Sequence, residues 1–198
     1  MRRAPVYFGL GLALAGVLSG LAWRLAAVNA RDARLMLRVN QAAWPGGVDR
    51  ILGGLRIAGT TGFFVVVLVL VGLAVPGWAL TLAAATLATE ALTRAIKLVA
   101  RRPRPYVTLP SVVVRLPRLP TDPSFPSGDA MRAAFLGGLA LAAAALPPWA
   151  AGSAMALALI VGVARVRSGA HYPLDVWAGA MLGVGAALAW AGWASLPR

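Results

Sequence analysis

The chain has no cysteine, one histidine, one lysine and only six acidic residues among 198. Without cysteine there are no disulfides and no thiol nucleophile, and with a single imidazole an ordinary structural zinc site is excluded as well. Charge of either sign is scarce. Charged residues make up 13% of the chain against 60% hydrophobic, and the mean hydropathy of +0.76 is that of a membrane protein rather than a soluble globule. The few acids leave a formal net charge of +13, which in a soluble chain would point to nucleic acid. Here the arginines stand beside apolar segments and no basic, aromatic-interleaved tract exists. The expected partners are therefore membrane lipids and a phosphorylated lipid substrate, not nucleic acid.

What is present is a series of apolar runs, several of them near the roughly 20 residues needed to cross about 30 Å of hydrocarbon. The first, Val6 to about Val28, follows Arg2 and Arg3. It has only a weak cleavage site at Val28-Asn29-Ala30, so an uncleaved helix is expected. Residues 31–60 carry Arg34, Arg38, Arg50 and Arg56 between apolar positions and break at Pro45-Gly46-Gly47, the pattern of an interfacial amphipathic helix. Thr61 to Val75, a Pro76-Gly77 turn and Trp78 to about Ala100 read as a hairpin, and the proline-rich stretch 101–127 is the longest non-membrane segment. Gly128 to Leu146, a Pro147-Pro148 turn, Trp149 to about Val166, a histidine-bearing loop and Leu174 to Leu196 complete the chain.

Small residues pervade the last three segments, as expected where helices approach closely in lipid. Trp78, Trp149, Trp190 and Trp193 lie near expected ends and read as interface anchors. The expected fold is all-α: one polytopic integral membrane domain over residues 1–198, a six-transmembrane-helix bundle with an interfacial amphipathic helix. Six crossings put both termini on one face and three polar clusters together on the other.

Those clusters carry the chemistry. Lys97-Leu-Val-Ala-Arg-Arg-Pro-Arg104-Pro105 closes one apolar segment. Cations at a helix end can be snorkelling anchors, yet Lys97 and Arg104 also offer a point charge and a forked donor to phosphoryl oxygens. Glu90 stands four residues before Arg94, the spacing of a helical ion pair that would orient the Lys97 face. Pro126-Ser127-Gly128-Asp129 opens the next segment, where a serine cap and exposed amides suit an anion. In the third cluster, Arg165 precedes His171 by six residues and Asp175 follows it by four, close enough to hold one imidazole nitrogen while the other faces a substrate.

In this order and spacing the pieces resemble the three-part signature of the type 2 phosphatidic acid phosphatase superfamily, whose soluble relatives include vanadium haloperoxidases. Lys97, Arg104 and Pro105 match its first part. Pro126, Ser127 and Gly128 match the second, with Asp129 where the family has histidine. Arg165, His171 and Asp175 match the third, with Ala164 in place of serine. The signature covers residues 97–175. The resemblance implies a phosphatase that needs no metal or other cofactor: His171 as nucleophile, Asp175 as its orienter, and Lys97, Arg104, Ser127, Gly128 and Arg165 holding the phosphoryl oxygens.

Asp129 stands at the general-acid position. An aspartate among arginines is expected to stay ionised, which suits a diphosphate leaving group that departs as a stable anion. The expected activity is hydrolysis of isoprenoid (undecaprenyl-type) diphosphates or related phospholipid phosphates through a phosphohistidine. A catalytically silent lipid-phosphate binder and a membrane phosphotransferase are the alternatives. Loop arginines alone would place the site in the cytoplasm, but phosphate-binding arginines inflate that count. The resemblance implies the extracytoplasmic face of the cell's inner membrane, and that is the expectation taken.

Overall fold

A segment crossing a bilayer must satisfy its own backbone hydrogen bonds, and a helix does so without partners. In the computed structural model, which describes residues 3–143 and 146–194, every regular element is accordingly helical. Helix α1 (Ala4–Gly20) runs into a 3₁₀ turn ending at Arg24 and is followed by α2 (Ala26–Gln41). Then come α3 (Val48–Leu55), α4 (Thr61–Ala74) and α5 (Pro76–Ala100). A single turn, α6 (Pro105–Thr108), lies in the long loop, and α7 (Gly128–Ala142), α8 (Pro148–Arg167) and α9 (Pro173–Ala194) complete the bundle. Proline opens α5, α6, α8 and α9, where its missing N–H has no helical partner to lose.

The stretch expected to be one interfacial helix is two, because Pro45-Gly46-Gly47 ends regular structure and Gly47 takes a φ of +95°. Helix α2 buries Asp32, Met36 and Asn40, one residue per turn on a single face. Met36 packs with Val166 and Tyr172, and the Asn40 amide donates to the carbonyls of Val113 and Arg167, each at 2.8 Å. One face of α2 thus fastens the long loop to the end of α8.

Helix α9 lies between α1 and α7, and α7 also packs on α8. Glycines make these approaches close. A Cβ at Gly183 would fall on the backbone of Met131 and Phe135, and one at Gly9 on that of Gly185 and Ala189. Phe64 of α4 meets Phe135 of α7 edge-on at 5.7 Å, and Trp78 meets Trp190 at 5.4 Å. Trp190 is therefore not an interface anchor. It is buried with Leu82, Phe135 and Ala187, whereas Trp149 and Trp193 are exposed.

This is a multi-pass membrane protein. Three helical stretches, Ala4–Arg24, Pro148–Arg167 and Pro173–Ala194, are long and apolar enough to span; Val48–Gly59 and Thr61–Ala74, bent by 52°, would make a fourth if they form one span. That is fewer than the six crossings expected. Helix α5 is interrupted by Glu90, Arg94 and Lys97, and the 15 residues of α7 reach only about 22 Å.

The glycine contacts give a direct test. Gly183→Ala should destabilise the protein by about 1–3 kcal/mol through overpacking against α7. Gly152→Ala, where a Cβ meets open space, should be neutral or stabilising by up to about 1 kcal/mol. Thermal unfolding in detergent reads both.

Candidate active site

Helix α5 ends at Arg101, which adopts the left-handed conformation at φ +49°, a reversal that turns Arg102 back into the protein. Arg102 is 1% exposed. Its guanidinium donates to Asp175 Oδ1 at 2.8 Å, Asp32 Oδ2 at 2.7 Å and Asn29 Oδ1 at 2.9 Å, and lies 3.9 Å from the Tyr172 ring centroid. The other oxygen of Asp32 accepts the Leu174 amide at 3.1 Å, one of the unpaired donors at the start of α9. Asp175 Oδ2 accepts the Tyr172 amide at 2.9 Å. Three separate elements, α2, the end of α5 and α9, are locked by this arrangement.

Gly169, at φ +83°, closes α8 and lets the chain turn so that His171 is buried against it. His171 Nδ1 lies 3.6 Å from Asp175 Oδ2, beyond a hydrogen bond but facing it. Nε2 lies 3.2 Å from Arg104 Nη1. A guanidinium can only donate, so Nε2 is the acceptor, and the tautomer assigned from this contact carries its proton on Nδ1, toward the carboxylate. Burial first, and then the charges of Arg104, Arg165 and Lys97, hold the imidazole well below its ordinary pKa. The ring is neutral at neutral pH, with its unprotonated nitrogen, Nε2, turned to Arg104.

His171 borders a cavity of about 310 Å³ lined also by residues of the long loop and of α5, α7 and α8. Six of the eight residues singled out from the sequence line it: Lys97, Arg104, Gly128, Asp129, Arg165 and His171. The other two support it. Asp175 stands behind His171, and Ser127, fully buried, caps α7 by accepting the Ala130 amide at 3.4 Å. The Gly128 and Asp129 amides then head the helix without intrahelical acceptors. The site residues therefore converge as their spacing implied.

One pairing differs from expectation. Glu90 does not hold Arg94; both its oxygens accept from Arg132, whose guanidinium also reaches Asp129 Oδ1 at 3.0 Å. A contact across helices lets one guanidinium satisfy two carboxylates at once, which an i,i+4 pair of Glu90 with Arg94 would not do. Asp129 also lies 3.1 Å from Arg165 Nε, an ion pair without hydrogen-bond alignment.

The sequence reading missed Arg102, Asp32, Asp122 and Arg132. A signal was there: in a chain with only six acids, each must find a cation, and all six do.

Asp122 is the most consequential of these. Its two oxygens pair with Arg104 at 2.7 Å and Lys97 at 2.8 Å, and its backbone carbonyl takes the Arg104 Nε. Burial alone would raise its pKa, but hydrogen bonds and charge from Lys97 and Arg104 override this and hold it at about 2. The pairing is complete at neutral pH and is lost only as pH falls from the ordinary carboxylate range toward about 2.

Comparison with known proteins decides the family. The family model described as the PAP2 superfamily matches residues 78–196. The chain belongs to that superfamily. Among individual proteins, the bacitracin transport permease protein BcrC of Bacillus licheniformis is 41% identical over 85 residues, 43% of this chain. The match spans 40% of that relative's length. The fold matches the crystal structure of a transmembrane PAP2 type phosphatidylglycerolphosphate phosphatase from Bacillus subtilis, at a TM-score of 0.77 and 21% identity over 94% of this chain and 96% of that one. It also matches Aquifex aeolicus LpxE, at a TM-score of 0.68 and 24% identity over 78% and 90% of the two chains.

Two expectations follow from the geometry. Arg102→Ala strands two buried carboxylates and should lower stability by about 3–5 kcal/mol, seen as loss of the thermal transition in detergent. Asp122→Asn removes an anion that already occupies Lys97 and Arg104. It should tighten binding of inorganic phosphate by about threefold to tenfold in a competition assay, whereas a carboxylate that merely positioned these cations would weaken binding when lost.

Proposed function

We propose that this protein is a membrane phosphatase of lipid diphosphates that works through a phosphohistidine on His171. One observation carries the reading: a neutral imidazole, backed by Asp175, directs Nε2 to a cavity walled by Lys97, Arg104, Arg165 and the head of α7. The Nε2 lone pair attacks the terminal phosphorus, and the bond to the bridging oxygen breaks with its electron pair leaving on that oxygen. Lys97, Arg104, Arg165 and the Gly128 amide hold the three equatorial oxygens, with Ser127 fixing the helix head. Water then attacks the phosphohistidine, releasing inorganic phosphate and returning the imidazole. None of these steps calls on a metal.

Asp129 narrows the substrate. Held between Arg132 and Arg165, it is an ion-pair partner rather than a proton donor. An alkoxide leaving group needs that proton, and a phosphate leaving group does not. Isoprenoid diphosphates of the undecaprenyl type fit both this chemistry and the membrane setting. A solved relative of the same fold is named a phosphatidylglycerolphosphate phosphatase, which supports a lipid phosphate as the substrate class. We also take α5 and α7 as crossings, giving six, because the α5 charges line the cavity and α7 is enclosed by α4, α8 and α9. Six crossings put the site on the face opposite the termini, and the family resemblance favours the extracytoplasmic side. A rival reading, a silent member that binds phosphorylated lipid, draws on the same Asp129.

Purified protein in detergent should release phosphate from farnesyl diphosphate and hydrolyse phosphatidate poorly. Label from the terminal β-phosphate of farnesyl diphosphate should be trapped on wild type and absent from His171→Ala. Asp129→His should raise monoester hydrolysis by about 10²-fold or more while changing diphosphate hydrolysis little. Wild type inert on both, with both activities restored by Asp129→His, would establish the silent reading instead.

A further inference from the structure

The cavity contains more cation than one phosphoryl group requires. Lys97 and Arg104 are held by Asp122 and Arg165 by Asp129, and Arg132 is held by Glu90 and Asp129. Arg94 also lines the cavity, but it is exposed and has neither an ion pair nor a hydrogen bond among the described residues. Counting Arg94, Lys97, Arg104, Arg132 and Arg165 against Glu90, Asp122 and Asp129, five cations face three anions, so the walls carry a net charge of +2. If Asp122 is displaced by substrate, that becomes +3, the charge of a fully ionised lipid diphosphate reversed.

The positions of the extra arginines are directional. Arg94 precedes Lys97 by three residues on one face of α5, about 4.5 Å toward the middle of that helix. Arg132 follows Gly128 by four residues on α7, its backbone about 6 Å toward the middle, while its guanidinium reaches back to within 3.4 Å of where a Gly128 Cβ would stand. The C-terminal end of α5 and the head of α7 lie at the same end of the bundle, joined through Ser124, whose amide bonds the Arg102 carbonyl at 2.8 Å. Inward is therefore the same direction on both helices. About two turns below Lys97, Glu90 ties Arg132 to α5, and Arg132 and Arg94 line the same cavity. Charges this far along otherwise apolar helices are costly unless they serve a ligand or each other.

We propose that Arg94, with Arg132 beside it, forms a second phosphate subsite that binds the lipid-linked phosphate of a diphosphate substrate. It rests on the cradle assignment made above. The terminal phosphoryl group sits at His171, Lys97, Arg104 and Arg165. The phosphate attached to the lipid lies one turn deeper, where its chain continues toward the bilayer interior. When the bridging bond breaks, the negative charge collects on that inner phosphate, and Arg94 and Arg132 stabilise it in place of the proton that a histidine at position 129 would deliver. The subsite and the aspartate are then two parts of one adaptation.

The test uses the full chain in detergent, with inorganic phosphate and methylenediphosphonate as probes. Wild type should bind methylenediphosphonate more tightly than phosphate. Arg94→Gln should weaken methylenediphosphonate by about tenfold, the loss of one charge-assisted donor group, and leave phosphate within about twofold. Arg94→Lys should recover part of the loss, and Arg118→Gln, outside the cavity, should change neither probe. Arg94 has no partner to lose, and retained phosphate binding confirms a folded cradle. Unchanged methylenediphosphonate binding in Arg94→Gln, equal losses for both probes, or a wild type that does not prefer methylenediphosphonate would overturn the subsite. Farnesyl diphosphate turnover separates the two readings: turnover with no Arg94 effect sinks the subsite alone, and an Arg94 effect without turnover sinks the enzymatic assignment alone.

Discussion

The buried guanidinium of Arg102 is the constraint on which the site depends. Two carboxylates, Asp32 and Asp175, share it at 2.7 and 2.8 Å, and no arrangement of this core could leave either acid alone. Satisfying both requires α2, the reversed end of α5 and the start of α9 to meet at one point. The result orients His171. Asp175 is fixed by Arg102 and by the Tyr172 amide, so the carboxylate that faces Nδ1 has no freedom to turn away. A helix outside the three motifs, α2, thereby sets the direction of an imidazole more than a hundred residues later in the chain.

A cradle of cations cannot be assembled empty without repulsion, and this chain answers that with its own carboxylates. Asp122 stands on Lys97 and Arg104, and Asp129 on Arg165. In the proposed reaction, binding a phosphate would exchange one anion for another rather than neutralise bare charge, and the half-exposed side chain of Asp122 can leave toward solvent. Its ionisation persists across the physiological range, so the exchange is governed by competition and not by pH. Asp129 lies between two guanidiniums and has no such exit, which makes it part of the wall.

Packing in the bundle follows the physics of lipid rather than of water. Helices gain little from hiding apolar surface when the surroundings are equally apolar, so closeness of approach matters. The glycines of α9 meet the backbones of α1 and α7 directly, and that contact holds the head of α7, with Ser127 and Gly128, against the histidine loop. The Ser127 amide donating to the Asp175 carbonyl at 2.9 Å completes the joint.

Hydrophobic runs and proline punctuation determined on their own that the chain is helical and membrane-embedded, because both depend on local solvation and local backbone chemistry. The three motifs likewise singled out Lys97, Arg104, Gly128, Arg165 and His171, which the fold gathers around one cavity. The tertiary structure decided which charges pair. Glu90 could read Arg94 one turn away in the sequence, but only the placing of α5 and α7 around one cavity brought Arg132 to it. Trp190 could read as an anchor until α4, α5 and α7 enclosed it. Arg102 was one basic residue in a run of them, and nothing local distinguished it from Arg101 beside it. Its role comes from Asp32 and Asp175, each at least seventy positions away. Ion pairs across such distances depend on where whole helices lie, and that is set by packing that no single stretch of sequence contains.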